Sequence, residues 1–346
     1  MSTKSLWALS GVRLKLFFRE PGSMFWTFGF PLLVTVALGV AFRNQGQSQT
    51  PVAIVDGPGA AQVVAALAGQ RAVAARVVAA AEATRELRTG EVVLAVQAAT
   101  PGSPLVFKYD PSRPAAQAAR RQVDDLLQIH AGRHDTVPTR DETAVAQGGR
   151  YVDWLVPGLL GLQLLNGAMW GAAFNIVNAR QRKLLKRLAA TPMRRAHYLL
   201  SYRVSGLVFV PLQVFVLFAF ARLTFGVVIQ GSALAVLALA FLGSWAFAGL
   251  GLLCASRAQN SETANGLINL VTLPMMVFSG VFFSSARFPS VLQPAIRLLP
   301  LTAFNEALRH VVNDGASLLS QGFPLAVLVA WAVITSFLAV RLFRWT

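Results

Sequence analysis

WLVPGLLGLQLLNGAMWGAAFNIVNA, residues 154–179, runs for 26 positions without Asp, Glu, Lys or Arg. About 20 consecutive apolar residues suffice to cross the hydrocarbon core of a bilayer. The pattern recurs over Phe25–Phe42, Val204–Ala221, Ser232–Ala255, Ala264–Phe283 and Phe323–Val340. Any one such run also suits a buried core helix. Six together read as membrane spans, with Trp154–Val177 as the second. Composition agrees: of 346 residues 55% are hydrophobic and only 13% charged, where soluble domains carry about 25% charged residues. The first run has a second reading as a cleaved signal, because Gly39-Val40-Ala41 has small-x-small character. It is longer than an h-region of about 7–15 residues, and about 20 residues precede it, so it reads as a retained anchor.

The net charge of +16 is concentrated beside these runs rather than spread over a nucleic-acid-binding face. Lys4, Arg13, Lys15 and Arg19 precede the first span, and Arg180, Arg182, Lys183, Lys186, Arg187, Arg194, Arg195 and Arg203 separate the second from the third. Arg257 follows the fourth, and Arg341 and Arg344 follow the sixth. The opposite short loops hold Arg222, Arg287, Arg297 and Arg309. Basic loops stay in the cytoplasm, which places both termini there, in the inner membrane of a bacterial cell. The long segment 43–150 is then external; its 12 basic and 10 acidic residues nearly balance. The sole cysteine, Cys254, falls in the fourth span, so no intrachain disulfide holds that segment together.

The expected architecture is an all-α membrane domain of six transmembrane helices with an inserted external α+β domain. Residues 1–22 form a cytoplasmic amphipathic helix, residues 23–42 the first span and residues 43–150 the external domain. Residues 151–346 hold spans two to six, with a cytoplasmic segment at 180–203 and short external helices at 284–322. In the first of these regions Leu6, Leu9, Leu14, Phe17 and Phe18 lie among basic residues, as suits a helix on an anionic leaflet. Within 43–150, β-branched runs at Val52–Val55, Ala72–Val78, Val92–Val96 and Leu105–Tyr109 alternate with helical stretches at Ala60–Ala68, Ala81–Arg88 and Pro114–Ile129. The order is β-α-β-α-β-β-α, punctuated by Asp56-Gly57-Pro58-Gly59 and Gly90. Residues 131–150 read as a tether. In 284–322, Thr302 is a candidate cap, and Phe304, Leu308 and Val311 share a face opposite Glu306 and His310.

Thr191-Pro192 is a helix-restart signal: Thr serves as N-cap, and Pro suits the first helical position, where its missing N–H costs nothing. The helix of span two is therefore expected to run on to about Ala190, with a second short helix after it. A short cytoplasmic helix between two spans is placed to be pushed by a partner; a solvated basic loop that sets topology is the alternative. Leu185-Lys186-Arg187-Leu188-Ala189-Ala190-Thr191-Pro192 resembles the stretch leading into the coupling helix of permease subunits of type-2 ABC exporters. Phe288-Pro289, Leu292-Gln293-Pro294, Leu298-Leu299-Pro300-Leu301-Thr302 and Glu306-Ala307-Leu308-Arg309 follow that family's pattern as well. Members often carry a Glu and a Gly-Thr upstream, where this chain has Gln181, Lys183 and Leu184. The resemblance implies coupling to an ATPase through Arg187, Leu188, Thr191, Pro192, Arg194 and Arg195. It implies a separate ATPase (nucleotide-binding) subunit carrying ATP and Mg, and a second permease subunit, identical or homologous. No Gly-x-x-x-x-Gly-Lys-Ser/Thr occurs in the chain, so hydrolysis is expected on the partner and no cofactor on this chain.

Two polar stripes interrupt the apolar runs. Gln163, Asn166 and Trp170 recur at i, i+3 and i+7, within about 60° of one helix face. Asn265, Asn269, Thr272 and Met276 form a similar stripe in span five. Polar side chains avoid lipid, so the stripes either hydrogen-bond between helices or line a translocation path for a hydrophobic or amphipathic substrate such as a drug, an antibiotic or a lipid. Gly167 and Gly171 form a Gly-x-x-x-Gly pair that permits close helix approach. His130, His134 and Asp135 read as solvated groups near the tether rather than as a metal site. A secondary transporter is the competing class, but it needs ionisable groups inside the membrane, and here Glu262 lies only at a span edge. A membrane sensor is the other alternative.

Overall fold

A computed structural model describes residues 11, 15, 17–42, 49–70, 72–98, 100, 104–134, 149–189 and 195–343. Most of the expected N-terminal amphipathic helix and most of the tether lie outside these residues. The chain divides into two compact units, residues 44–144 and the remainder.

In the larger unit, α1 (Pro21–Met24) leads through a π-helical turn, Phe25–Gly29, into α2 (Phe30–Ala41). The smaller unit follows in the chain with β1 (Thr50–Val55), α3 (Ala60–Leu67), β2 (Val73–Val78), α4 (Ala80–Thr89), β3 (Leu94–Gln97), β4 (Val106–Lys108) and α5 (Pro114–His130). Its sheet has the order β2-β1-β3-β4. β1 pairs in parallel with both β2 and β3, and β4 runs antiparallel on the edge. Alternate residues of β1 face opposite sides. Val52 and Ile54 pack with Val63, Leu67, Ala119 and Val123 of α3 and α5, whereas Ala53 and Val55 pack with Ala83 of α4. The chain moves from β1 outward to β2 and back across to β3, so crossovers of one hand put α3 and α4 on opposite faces. Parallel strands covered on both sides make this α/β architecture, not the segregated α+β arrangement expected.

The larger unit continues with α6 (Tyr151–Ala168), a second π segment at Met169–Phe174, α7 (Asn175–Gln181), α8 (Leu184–Ala189), α9 (Arg195–Phe225), α10 (Ala233–Arg257) and α11 (Ser261–Phe278). Short helices α12 (Gln293–Arg297) and α13 (Pro300–Asn313) precede α14 (Gly322–Leu342). Among the described residues, three helical stretches are long and apolar enough to cross a membrane: Leu200–Phe225, Ala233–Arg257 and Gly322–Leu342. Phe25–Ala41 is apolar but shorter.

α10 sits at the centre of this unit, against α6, the second π segment, α9, α13 and α14. Small residues make that possible, as they do wherever membrane helices approach closely. A Cβ on Gly251 would stand 2.6 Å from the Ala168 carbonyl oxygen, and one on Gly243 would strike the Phe304 ring. At one end of the bundle, Asp153 accepts from the Arg150 guanidinium at 2.8 and 2.9 Å. Arg150 also donates to the Phe225 carbonyl at 2.8 Å, tying the start of α6 to the end of α9. Asp153 thereby raises the Arg150 pKa above its ordinary value, with burial opposing it.

Candidate functional site: the end of α7 and the turn after it

The segment expected to meet an ATPase is broken earlier than its sequence suggests. α7 ends at Gln181, and Lys183 adopts a φ of 56°, a left-handed conformation uncommon for a residue with a Cβ. The Arg182 and Lys183 amides turn back onto the carbonyls of Asn178 and Arg180, at 3.0 and 2.9 Å, and close the helix end. A short helix α8 therefore precedes Thr191-Pro192, and the expected restart at these two residues lies outside the described residues. Leu185 is buried and Arg187 exposed on α8, which also contains Leu188. Arg195 opens α9, while Thr191, Pro192 and Arg194 lie outside the described residues.

The end of α7 is fastened to the turn between α10 and α11. Arg180 donates through Nη1 to the Ala255 carbonyl at 3.0 Å and to the Ala258 carbonyl. Its guanidinium also lies 5.6 Å from the Phe343 ring centroid, just past α14. Ser261, the first residue of α11, donates to Gln181 Oε1 at 3.0 Å. Asn260 caps α11 by accepting from the Thr263 amide at 2.8 Å. The end of α7 is thus joined to α10 and α11 by hydrogen bonds and to the residue after α14 by a ring contact. Sequence reading counted Arg180 only as a topology charge and missed this role. Its place directly after a charge-free run was the available signal.

The two polar stripes divide by depth. Gln163 is buried, and its Nε2 donates to the Thr27 carbonyl at 2.5 Å, inside the π turn that precedes α2. Thr272 is buried as well. Asn166 and Asn265 are half-buried, whereas Trp170 and Asn269 are exposed. On the exposed side of the same segment Gly171 has nothing within 4 Å of a Cβ position, and Gly167 meets only Gln213 Nε2 at 3.9 Å. The Gly-x-x-x-Gly pair is therefore not the helix contact within this chain.

A second polar cluster was not foreseen. Arg309, expected as an exposed charge, is buried on α13 and stacks 3.5 Å from the Trp154 ring centroid. It donates from Nε and Nη2 to the Trp154 carbonyl at 3.2 Å, and from Nη2 to the Gly280 carbonyl. Phe304, Leu308 and Val311 are fully buried, and Glu306 and His310 exposed. Thr302 does not cap the helix, because Pro300 already occupies its first turn and Leu299 stands at the N-cap; the Thr302 side chain is buried. Among the described residues no group of three or more potential ligands gathers for a metal.

Residues 21–341 match the family described as ABC-2 family transporter protein. The chain is 32% identical over 112 residues to Nodulation protein J of Rhizobium meliloti (strain 1021). That stretch covers 32% of this chain and 41% of the relative, so the likeness extends over less than half of either protein. The family match runs from α1 into the last turn of α14, across both units and the turn at Lys183. This membrane protein belongs to the ABC-2 family of transporter proteins.

Proposed function

We propose that the chain is the permease subunit of an ATP-driven exporter that moves a hydrophobic or amphipathic substrate out of the cytoplasm or inner leaflet. The family supports a membrane subunit that works with an ATPase. The observation that carries the coupling reading is the fastening of α7 to the α10–α11 turn by Arg180 and Ser261. A partner pressing on α8 moves backbone in several helices at once. ATP and Mg belong to that partner; this chain converts its stroke into helix motion.

In this reading six spans cross the membrane with both termini cytoplasmic. The three long helices are joined by α2 with its π turn, by α6 through α7, and by α11. Residues 43–150 form the external domain, and α12 and α13 dip into the outer interface. The substrate passes between two permease halves, along the exposed face bearing Asn166, Trp170 and Asn269. An unpaired polar face in a membrane helix bundle is costly against lipid, which supports a second subunit or a path there. Co-expression with the candidate ATPase and purification through a tag on this chain is the test. The expected result is a complex whose ATP hydrolysis depends on the second subunit. Hydrolysis by the isolated chain, or an ATPase that never co-purifies, overturns the proposal.

A further inference from the structure

We propose that a groove on the flank of α10 and α14 holds one acidic phospholipid, with the acyl chain along the groove and the phosphate at Arg341. The groove encloses ≈ 590 Å³ and is lined by Trp245, Val333, Ser336, Phe337, Val340 and Arg341, with Ala332 at its base. That volume suits a single elongated ligand. The lining is almost wholly apolar, and Val333, Phe337 and Val340 are exposed. An apolar ligand therefore removes surface that no other part of the described chain covers.

Two arginines make the groove selective for an acidic lipid. Arg341, in the last turn of α14, lies over the Phe337 ring at 4.4 Å, its apolar stem along the helix and its charge at the mouth. Arg203 stands behind the wall. It is buried, stacks 4.8 Å from the Trp245 ring and donates to Ser336 Oγ at 2.7 Å. Gly249 makes the room, since a Cβ there would fall 3.0 Å from Arg203 Nη2. Among the described residues neither guanidinium forms an ion pair. Two positive charges beside a hydrocarbon-lined groove lack an anion, and a phosphate supplies one. A second copy of the chain is the rival occupant. The side with Gly167, Trp170 and Gly171, open and uncharged, suits that copy better than a groove flanked by two like charges.

The full chain is reconstituted into neutral bilayers doped with increasing fractions of a lipid brominated on its acyl chain. The lipid is either a phosphatidylglycerol or a phosphatidylcholine. Quenching assigned to Trp245 is the difference between the native chain and Trp245→Phe. We expect half-maximal quenching at about fivefold lower mole fraction of the acidic lipid. Arg341→Gln should bring the two curves together, and so should high salt acting on the native chain, which needs no variant to insert. Coincident curves for the two headgroups in the native chain overturn the proposal. Absence of quenching by either lipid also overturns it and means that protein covers the groove. The readout does not depend on an ATPase or on which membrane face α14 ends at, so its failure is separate from failure of the transport reading.

Discussion

Between Val152 and Leu165 α6 is buried almost all round, whereas from Met169 onward the helix widens into a π turn with one side open. The first half meets α13 and the loop after α11 at van der Waals range. A Cβ on Gly158 would stand 2.7 Å from the Val281 carbonyl oxygen and 2.9 Å from Arg309 Nη2, and one on Gly161 would overlap Asn305, Phe304 and Leu301. The second half offers Gly167 and Gly171 to almost nothing. One helix thus combines a clamped end with an end whose hydrogen-bond ladder is already loosened. π turns inside α-helices frequently mark functional positions, and this one contains Trp170 of the polar stripe and leads on to α7 and α8.

Substitution of small residues breaks this contrast most directly. Gly158→Ala forces a methyl against backbone that cannot step aside and should cost about 3 kcal/mol, the upper range for overpacking. Gly171→Ala enters open space and should change stability by less than about 1 kcal/mol, with helix propensity favouring Ala. Thermal unfolding of the two variants in one detergent reads both numbers. Equal destabilisation would mean that the second half is as tightly packed as the first. Arg309→Ala comes next, at about 2 kcal/mol, because it removes a charge-assisted donor from the Gly280 carbonyl and the second donor from the Trp154 carbonyl. Arg309→Lys should recover only part of that loss, since an ammonium does not reproduce the planar stack on Trp154. Full recovery by Lys would reduce the role of Arg309 to its charge.

The clamped end was partly legible in sequence and the loosened end hardly at all. Apolar length announces the long helices, and the Phe304, Leu308 and Val311 stripe announces the buried face of α13. Gly-Pro-Gly and Gly90 likewise punctuate the smaller unit closely enough to expose its order of strands and helices. Strand direction was not legible, because residue alternation is the same for either pairing. Arg309 lies about 100° around the helix from Leu308, so a single apolar stripe leaves it outside; only packing on three sides widens the buried arc to include it. The π segments have no composition of their own. The break at Lys183 is equally silent, since a left-handed helix end is announced by Gly or Asn. The Thr191-Pro192 signal drew the expected break downstream instead. The coupling role read from Arg187, Leu188, Thr191, Pro192, Arg194 and Arg195 depends on the resemblance, not on geometry.

At the end of α7, transmission and stability should part company. Arg180→Ala removes donors to the Ala255 and Ala258 carbonyls at the rim of the bundle, where water can replace them, and should cost about 1 kcal/mol. Its effect on transport should be far larger, about tenfold in substrate-dependent ATP hydrolysis by the assembled complex. Arg180→Lys should keep the stability and restore little of the coupling, because an ammonium can reach the two carbonyls that Nη1 bridges but loses the planar guanidinium beside the Phe343 ring. Transport that falls only in proportion to folded protein would leave Arg180 as a structural cap.

The smallest effect should fall at Asn269, within polar stripes where the boundary between the two halves passes. Gln163 sits on the clamped side and spends its amide on the Thr27 carbonyl, so Gln163→Ala leaves a buried carbonyl without its donor and should cost about 1–2 kcal/mol. Asn269 is exposed on α11, so Asn269→Ala should cost less than about 0.5 kcal/mol. If the less buried members of the stripes line the path, Asn269→Ala and Asn166→Ala change the relative export of polar and apolar substrates while the yield of folded protein holds. The buried members, Gln163 and Thr272, then alter stability without altering preference. Competition between two substrates in vesicles separates these outcomes without requiring absolute rates. A shift in preference that appears with Gln163→Ala but not with Asn269→Ala would place the path inside the bundle of a single chain. An unchanged preference in every variant would assign both stripes to holding helices together.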